Sequence, residues 1–183
     1  MRKTVKKVFW MWNLDKEEEW LNQMAAEGWC LISVGYCKYE FEQVPPGLFT
    51  IRTDYLEKSA NHPMHRDYIE FVKSTGAVHV CNYGNKAFFR KIKDEKFELF
   101  SDNPTRIKYY NRILKDIRFM MIWSFFMTFW TVIQVIFQDY NDILVFDLLG
   151  LLLWLIADSC WTYAFVKNSK KRKALKEEQN LYE

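Results

Sequence analysis

Histidine, cysteine and buried acid are the residue types from which a small protein builds chemistry, and their spacing here limits what they can do. His62-Pro63-Met64-His65 places two imidazoles three residues apart, but Pro63 lies between them and no Cys or carboxylate completes a zinc pattern, so the segment reads as a loop entering a helix. His79 and Cys81 lie on a strand candidate, one residue between them, and are expected to share a face as packing residues. Thiolate activation would need a basic environment, which spacing along the chain does not reveal. Cys30, Cys37 and Cys81 have no C-x-x-C spacing and fit a reducing compartment, and Cys160 falls in an apolar run. A phosphate loop, a dinucleotide fingerprint, a nucleophile elbow and an H-E-x-x-H helix are all absent. The chain is therefore expected to be non-enzymatic, with no cofactor and no metal.

Two acids stand where acids are expensive. Asp147 and Asp158 interrupt ILVFDLLGLLLWLIADSCWTYAFV, residues 143–166, which follows FMMIWSFFMTFWTVIQVIF, residues 119–137, a run without charge. Nineteen residues at ~1.5 Å each are enough to cross a ~30 Å hydrocarbon core. Both runs are apolar on every face, so a helical transmembrane hairpin is expected rather than a pair of globular core helices. Counted from the flanking ends, Asp158 lies level with Ser124 and Thr128, which share a face with Thr131, while Asp147 lies near the far interface. A carboxylate at the depth of Asp158 costs about 2.5–3.5 kcal/mol on insertion scales. Three readings follow: hydrogen bonding within the hairpin or across a homo-oligomer, a proton or cation site, or snorkelling to the interface.

The flanks orient the hairpin. Arg106, Lys108, Arg112, Lys115 and Arg118 precede it, six Lys or Arg between 167 and 176 follow it, and the connection carries only Asp139 and Asp142. The positive-inside rule puts both termini in the cytoplasm of a two-pass cytoplasmic-membrane protein. The apolar run 8–12 is too short for a signal-peptide core. Residues 103–118 are expected to form an amphipathic basic helix at the membrane, with Pro104 at its first turn, and residues 167–183 a basic tail. Residues 1–105 hold fifteen Lys plus Arg and fifteen Asp plus Glu, so the net charge of +3 belongs to the membrane flanks and nucleic-acid binding is disfavoured. The mean hydropathy of −0.26 averages two unlike parts.

The elements that must position everything else are duplicated. EWLNQMAAEGW (19–29) aligns with DYIEFVKSTGA (67–77): an acid, Trp20 or Tyr68, Leu21 or Ile69, Met24 or Val72, then Gly28 or Gly76, at identical spacing. Each is an amphipathic helix closed by glycine, the first with Asp15 and Glu18 placed like a capping box. Strands are expected before each helix, at 5–12 and 48–55, and after each, at 30–34 with 36–41 and 78–82 with 86–92. Residues 1–102 thus form an α+β domain of two β-α-β-β units, 5–42 and 48–92, either ferredoxin-like if paired strands merge or an effector-binding-like curved antiparallel sheet if they stay separate. Trp20, Leu21, Met24, Ile69, Val72, Trp10, Leu31, Ile51 and Phe89 are the expected core. Aromatics crowd the first unit, where core packing is their expected use, and Trp10, Trp12, Trp29, Tyr36 and Tyr39 are the candidates for a groove that takes an apolar or cationic ligand or a partner helix.

EWLNQMAAEGWCL, together with RDYIEFVKSTG and ELFSDNPTRIKYYNRI ahead of two spans, resembles an uncharacterised family of small bacterial membrane proteins, the domain of unknown function 2812. Ala77 departs from the Trp expected after the second glycine. The resemblance implies genes often placed beside PadR-type transcriptional regulators, and no activity or cofactor. The sequence leads to the expectation of a membrane-tethered cytoplasmic sensor or adaptor that meets a lipid bilayer and a protein partner, a regulator or transporter component. The competing expectation is a small oligomeric transport component in which Asp158 carries the coupling charge.

Overall fold

The computed structural model describes residues 1–93, 97, 99, 103–137 and 145–180, which divide into two compact units, Met1–Tyr109 and Tyr110–Glu183. Asp102, Asp139, Asp142 and the start of the second apolar run at residue 143 lie outside the described residues, as does the side chain of Asn103.

In the first unit the duplication is carried into three dimensions. One half contains β1 (Arg2–Lys6), α1 (Leu14–Ala26), β2 (Trp29–Gly35) and β3 (Lys38–Gln43); the other contains β4 (Phe49–Tyr55), α2 (Arg66–Ser74), β5 (Val78–Tyr83) and β6 (Lys86–Ile92). Each half folds its strands into an antiparallel sheet with the third strand central, β1-β3-β2 and β4-β6-β5. The strand pairs stay separate, so the ferredoxin-like alternative does not form. Even the irregularities repeat: β2 shifts register between Leu31 and Ser33, and β5 between His79 and Cys81.

The first strand departs from expectation. It is Arg2–Lys6 instead of 5–12, because β3 begins only after the Tyr36-Cys37 turn and leaves nothing beyond Lys6 and Lys7 to pair with. The chain then turns, with a 3₁₀ turn at Met11–Asn13. Gly28 and Gly76 close their helices at φ +90° and +86°. A Cβ at Gly28 would stand 2.9 Å from the Val44 carbonyl oxygen, so that position excludes a side chain on two counts. Near Gly76 the nearest contact would be Lys91 Cε at 3.7 Å.

Two apolar clusters form the core. One joins Leu21, Met24, Leu31, Val34, Tyr39, Phe41, Ile51 and Phe88, the other Leu56, Val72, Ala77, Phe89 and Phe97. Phe88 and Phe89 are neighbours on β6 and point to opposite faces, so this one strand supplies both clusters. Each buried phenylalanine contributes on the order of 1.5–3 kcal/mol. Trp10, expected in the core, is 59% exposed because the turn after β1 swings it away from the sheet.

The second unit is helical. α3 (Asn103–Phe137) begins in the first unit and continues as 35 residues of uninterrupted helix, and α4 (Val145–Asn180) runs for 36. The expected juxtamembrane helix and first span are therefore one element, and so are the second span and most of the tail. No proline follows Pro104 and only Gly150 could weaken either helix, so nothing in the sequence breaks them. Both are long and apolar enough to span a membrane, with mean hydropathies of 1.7 and 1.6 over their most apolar windows. Phe119, Trp123, Phe129, Leu149 and Leu153 leave large apolar surface outward, as lipid-facing residues do.

Candidate functional site

Within the helical hairpin, Ser124 and Thr128 lie one turn apart on α3 and so share a face. The Ser124 hydroxyl donates to Oδ1 of Asp158 on α4, and the Thr128 hydroxyl donates to Oδ2 at 2.7 Å. Ser124 and Asp158 are both buried. Each carboxylate oxygen thus has its own donor. Two hydrogen bonds to a charged group, at roughly 1.5–3 kcal/mol each, offset the cost of placing that carboxylate in an apolar stretch. Thr131, on the same face, bonds back to the Met127 carbonyl at 2.8 Å instead. Asp147 lies in the first turn of α4.

The aromatic candidates do not assemble into one groove. Tyr39 is a core residue, 4% exposed, ringed by Trp20 at 5.1 Å and Phe9 at 6.0 Å, because its place on β3 directs it toward α1. Tyr36 stands in the β2–β3 turn, 87% exposed, and Trp29 lies under the Lys3 ammonium at 5.1 Å. Only Trp10 and Trp12 come together, stacked at 5.1 Å with their planes 8° apart.

Two side chains that sequence reasoning passed over, Glu17 and Lys86, meet Tyr39 in the core. Glu17, 1% exposed, accepts a hydrogen bond from the Tyr39 hydroxyl at 2.6 Å and pairs with the Lys86 ammonium of β6. Burial pushes the Tyr39 hydroxyl above its ordinary range, and the Glu17 carboxylate beside it adds to the effect. The signal for Glu17 was its position three residues after Leu14 and four before Leu21, on the apolar stripe. Sealed from solvent, the cluster has no room for a substrate and ties the two halves of the domain together. A second tie is Arg90, whose Nη1 donates to Glu42 at 2.6 Å and to the Cys30 sulfur at 3.3 Å. Burial raises the Cys30 thiol.

His79 and Cys81 do not share a face. The register shift between them pairs His79 with Phe89 and Cys81 with Phe88, which point oppositely. The His79 ring lies 5.5 Å from Phe89, and its Nε2 is 2.8 Å from the side-chain Oδ1 of Asn82. Burial pushes the Cys81 thiol up to about 11. A pocket of about 110 Å³ where β2 meets β5 is lined by Leu31, Ile32, Val78, His79, Val80 and Arg90. It holds a few waters at most. His62 and His65 stand 6.3 Å apart, ring to ring, and His62 accepts from the Met64 amide at 3.3 Å. No group of three or more potential metal ligands comes together among the described residues.

A duplicated α+β domain followed by two helices of membrane-spanning length defines a class of small module joined to a helical hairpin. The chain belongs to the family described as Protein of unknown function (DUF2812), whose model matches residues 13–123, from α1 through both halves of the domain into α3. No curated protein and no solved structure matches it.

Proposed function

We propose that the chain is a non-catalytic, membrane-tethered sensor or adaptor of the bacterial cytoplasmic membrane, its α+β domain and both termini on the cytoplasmic side. The observation that carries this reading is the pairing of Asp158 with Ser124 and Thr128 inside one hairpin. A carboxylate with a donor on each oxygen is a fixed structural group, whereas a coupling site needs an acid that changes partners as it loads and unloads. The charge distribution supports the orientation: the soluble part is neutral and the basic residues flank the apolar runs. The domain offers sealed polar clusters and core aromatics, which suits a module that works through contacts.

Asp158→Asn tests the reading. In an anchor, the variant enters the membrane fraction in wild-type amount and leaves the thermal transition of the domain unchanged. Proton or cation flux in proteoliposomes that wild-type protein supports and Asp158→Asn abolishes would overturn it in favour of a transport component.

A further inference from the structure

We propose that residues 7–13 form a lipid-docking element, with the Trp10–Trp12 stack entering the headgroup region of an anionic bilayer and the cations of β1 facing its phosphates. The inference rests on the membrane-tethered reading and adds a second, peripheral contact. Trp10 is 59% exposed and Val8 58%, and Trp10 stacks with its ring parallel to that of the half-buried Trp12, which makes one apolar indole pair. Phe9, just before Trp10, turns the other way and packs at 5.4 Å on Trp20, which fixes the segment to the domain. The Asn13 amide, donating to the Trp10 carbonyl at 2.8 Å, holds the turn. The pair is held in place by these contacts, with Trp10 on the surface.

Charge identifies its occupant. Arg2, Lys3, Lys6 and Lys7 are all exposed, and no acid precedes Asp15. On β3, Glu42 stands opposite Arg2 and pairs with Arg90 at 2.6 Å, and Glu40, which also feels the Arg2 charge, pairs with Lys38 at 2.5 Å, so Lys3, Lys6 and Lys7 carry the surplus positive charge. Lys3 and Lys7 sit over the rings of Trp29 and Trp20, at 5.1 and 4.5 Å, which positions the ammonium groups while leaving their donors for a phosphate. An indole pair with Trp10 exposed, beside a surplus of cations, suits the interface of an anionic leaflet, where tryptophan places its apolar body and N–H in matching layers. A second copy of this surface would set like charges against each other. A chain already held in the bilayer needs only weak affinity for this contact, since the tether supplies the effective concentration.

The test uses the full chain in lipid nanodiscs, either phosphatidylcholine alone or phosphatidylcholine with phosphatidylglycerol, and follows amide hydrogen exchange of residues 7–13. Docking predicts exchange slowed roughly tenfold in the anionic discs. The slowing is lost in a Trp10→Ala, Trp12→Ala double variant and in an Arg2→Glu, Lys6→Glu double variant, while amides of β2 and β3 keep their protection as the control for folding. Equal exchange in both lipids, with the chain in the discs, overturns docking and leaves the tether standing. Slowing that requires added soluble protein in place of anionic lipid overturns it in favour of a protein partner. Failure to enter either disc overturns the membrane reading and this inference with it.

Discussion

Asn22 on α1 and Ile51 on β4 exchange two hydrogen bonds: the Asn22 amide nitrogen donates to the Ile51 carbonyl at 2.9 Å, and the Ile51 amide donates to the Asn22 side-chain oxygen at 2.9 Å. One turn earlier, Glu18 accepts from the Thr53 amide at 2.8 Å. Ile51 and Thr53 point their backbone groups outward from β4, the edge strand of its sheet, so a helix from the first half of the duplication completes the sheet of the second. Unpaired edges invite aggregation, and here side chains occupy the positions a further strand would take.

Asn22→Ala removes a donor and an acceptor together and leaves both Ile51 backbone groups short of partners. We expect a loss of about 2–3 kcal/mol in a denaturant titration of the full chain, with more self-association during unfolding. An unchanged midpoint would show that water replaces the side chain without cost.

Lys86→Met leaves the buried Glu17 carboxylate without its cation, and the expected cost is about 3–5 kcal/mol. Adding Glu17→Gln removes the uncompensated charge while keeping an acceptor for Tyr39, so the double variant recovers most of the loss. A double-mutant cycle measures this directly; additive losses would mean that the two residues do not interact.

The two helix-closing glycines separate strain from crowding. Gly76→Ala is expected to cost roughly 1–2 kcal/mol, the strain of a left-handed residue alone. Gly28→Ala adds the close approach to Val44 and should cost clearly more. Equal losses would mean that the Val44 loop moves aside freely.

Alkaline pH should weaken the domain. Cys81 rises from an ordinary 9.0 to about 11 through burial, and Tyr39 is also raised. A group whose pKa is higher when folded lends stability that is complete below its unfolded value and lost as pH climbs through the folded one. For Cys81 that window runs from about pH 9 to pH 11. The thermal midpoint is expected to fall across it, and less steeply in Cys81→Ala. A midpoint that falls by the same amount in both proteins would assign the loss elsewhere.

What could be read from the sequence followed simple periods. The matched spacing from Trp20 to Gly28 and from Tyr68 to Gly76 gave two helices with their ends, and counting along the apolar runs placed Asp158 level with Ser124 and Thr128. The bulges at Leu31 and His79 were hidden, because one extra residue in a strand leaves no compositional mark yet reverses every face after it. Glu18 shows a different limit. Beside Asp15 it has the form of a capping box, but α1 has no side-chain cap bond and Glu18 serves a strand 35 residues away. Local spacing cannot say which tertiary partner wins. Tyr39 shows the same limit: an aromatic ring fits a groove or a core, and its place on β3 facing α1 puts it in the core.

The central claim is a two-pass hairpin with the α+β domain in the cytoplasm. It is tested most directly by fusing alkaline phosphatase, active only after export, at three points in a bacterial host: before α3, between residues 138 and 144, and after residue 183. The account predicts activity at the middle fusion alone, with all three proteins in the carbonate-washed membrane fraction. Activity at either outer fusion, or recovery of the full chain in the soluble fraction, would contradict it.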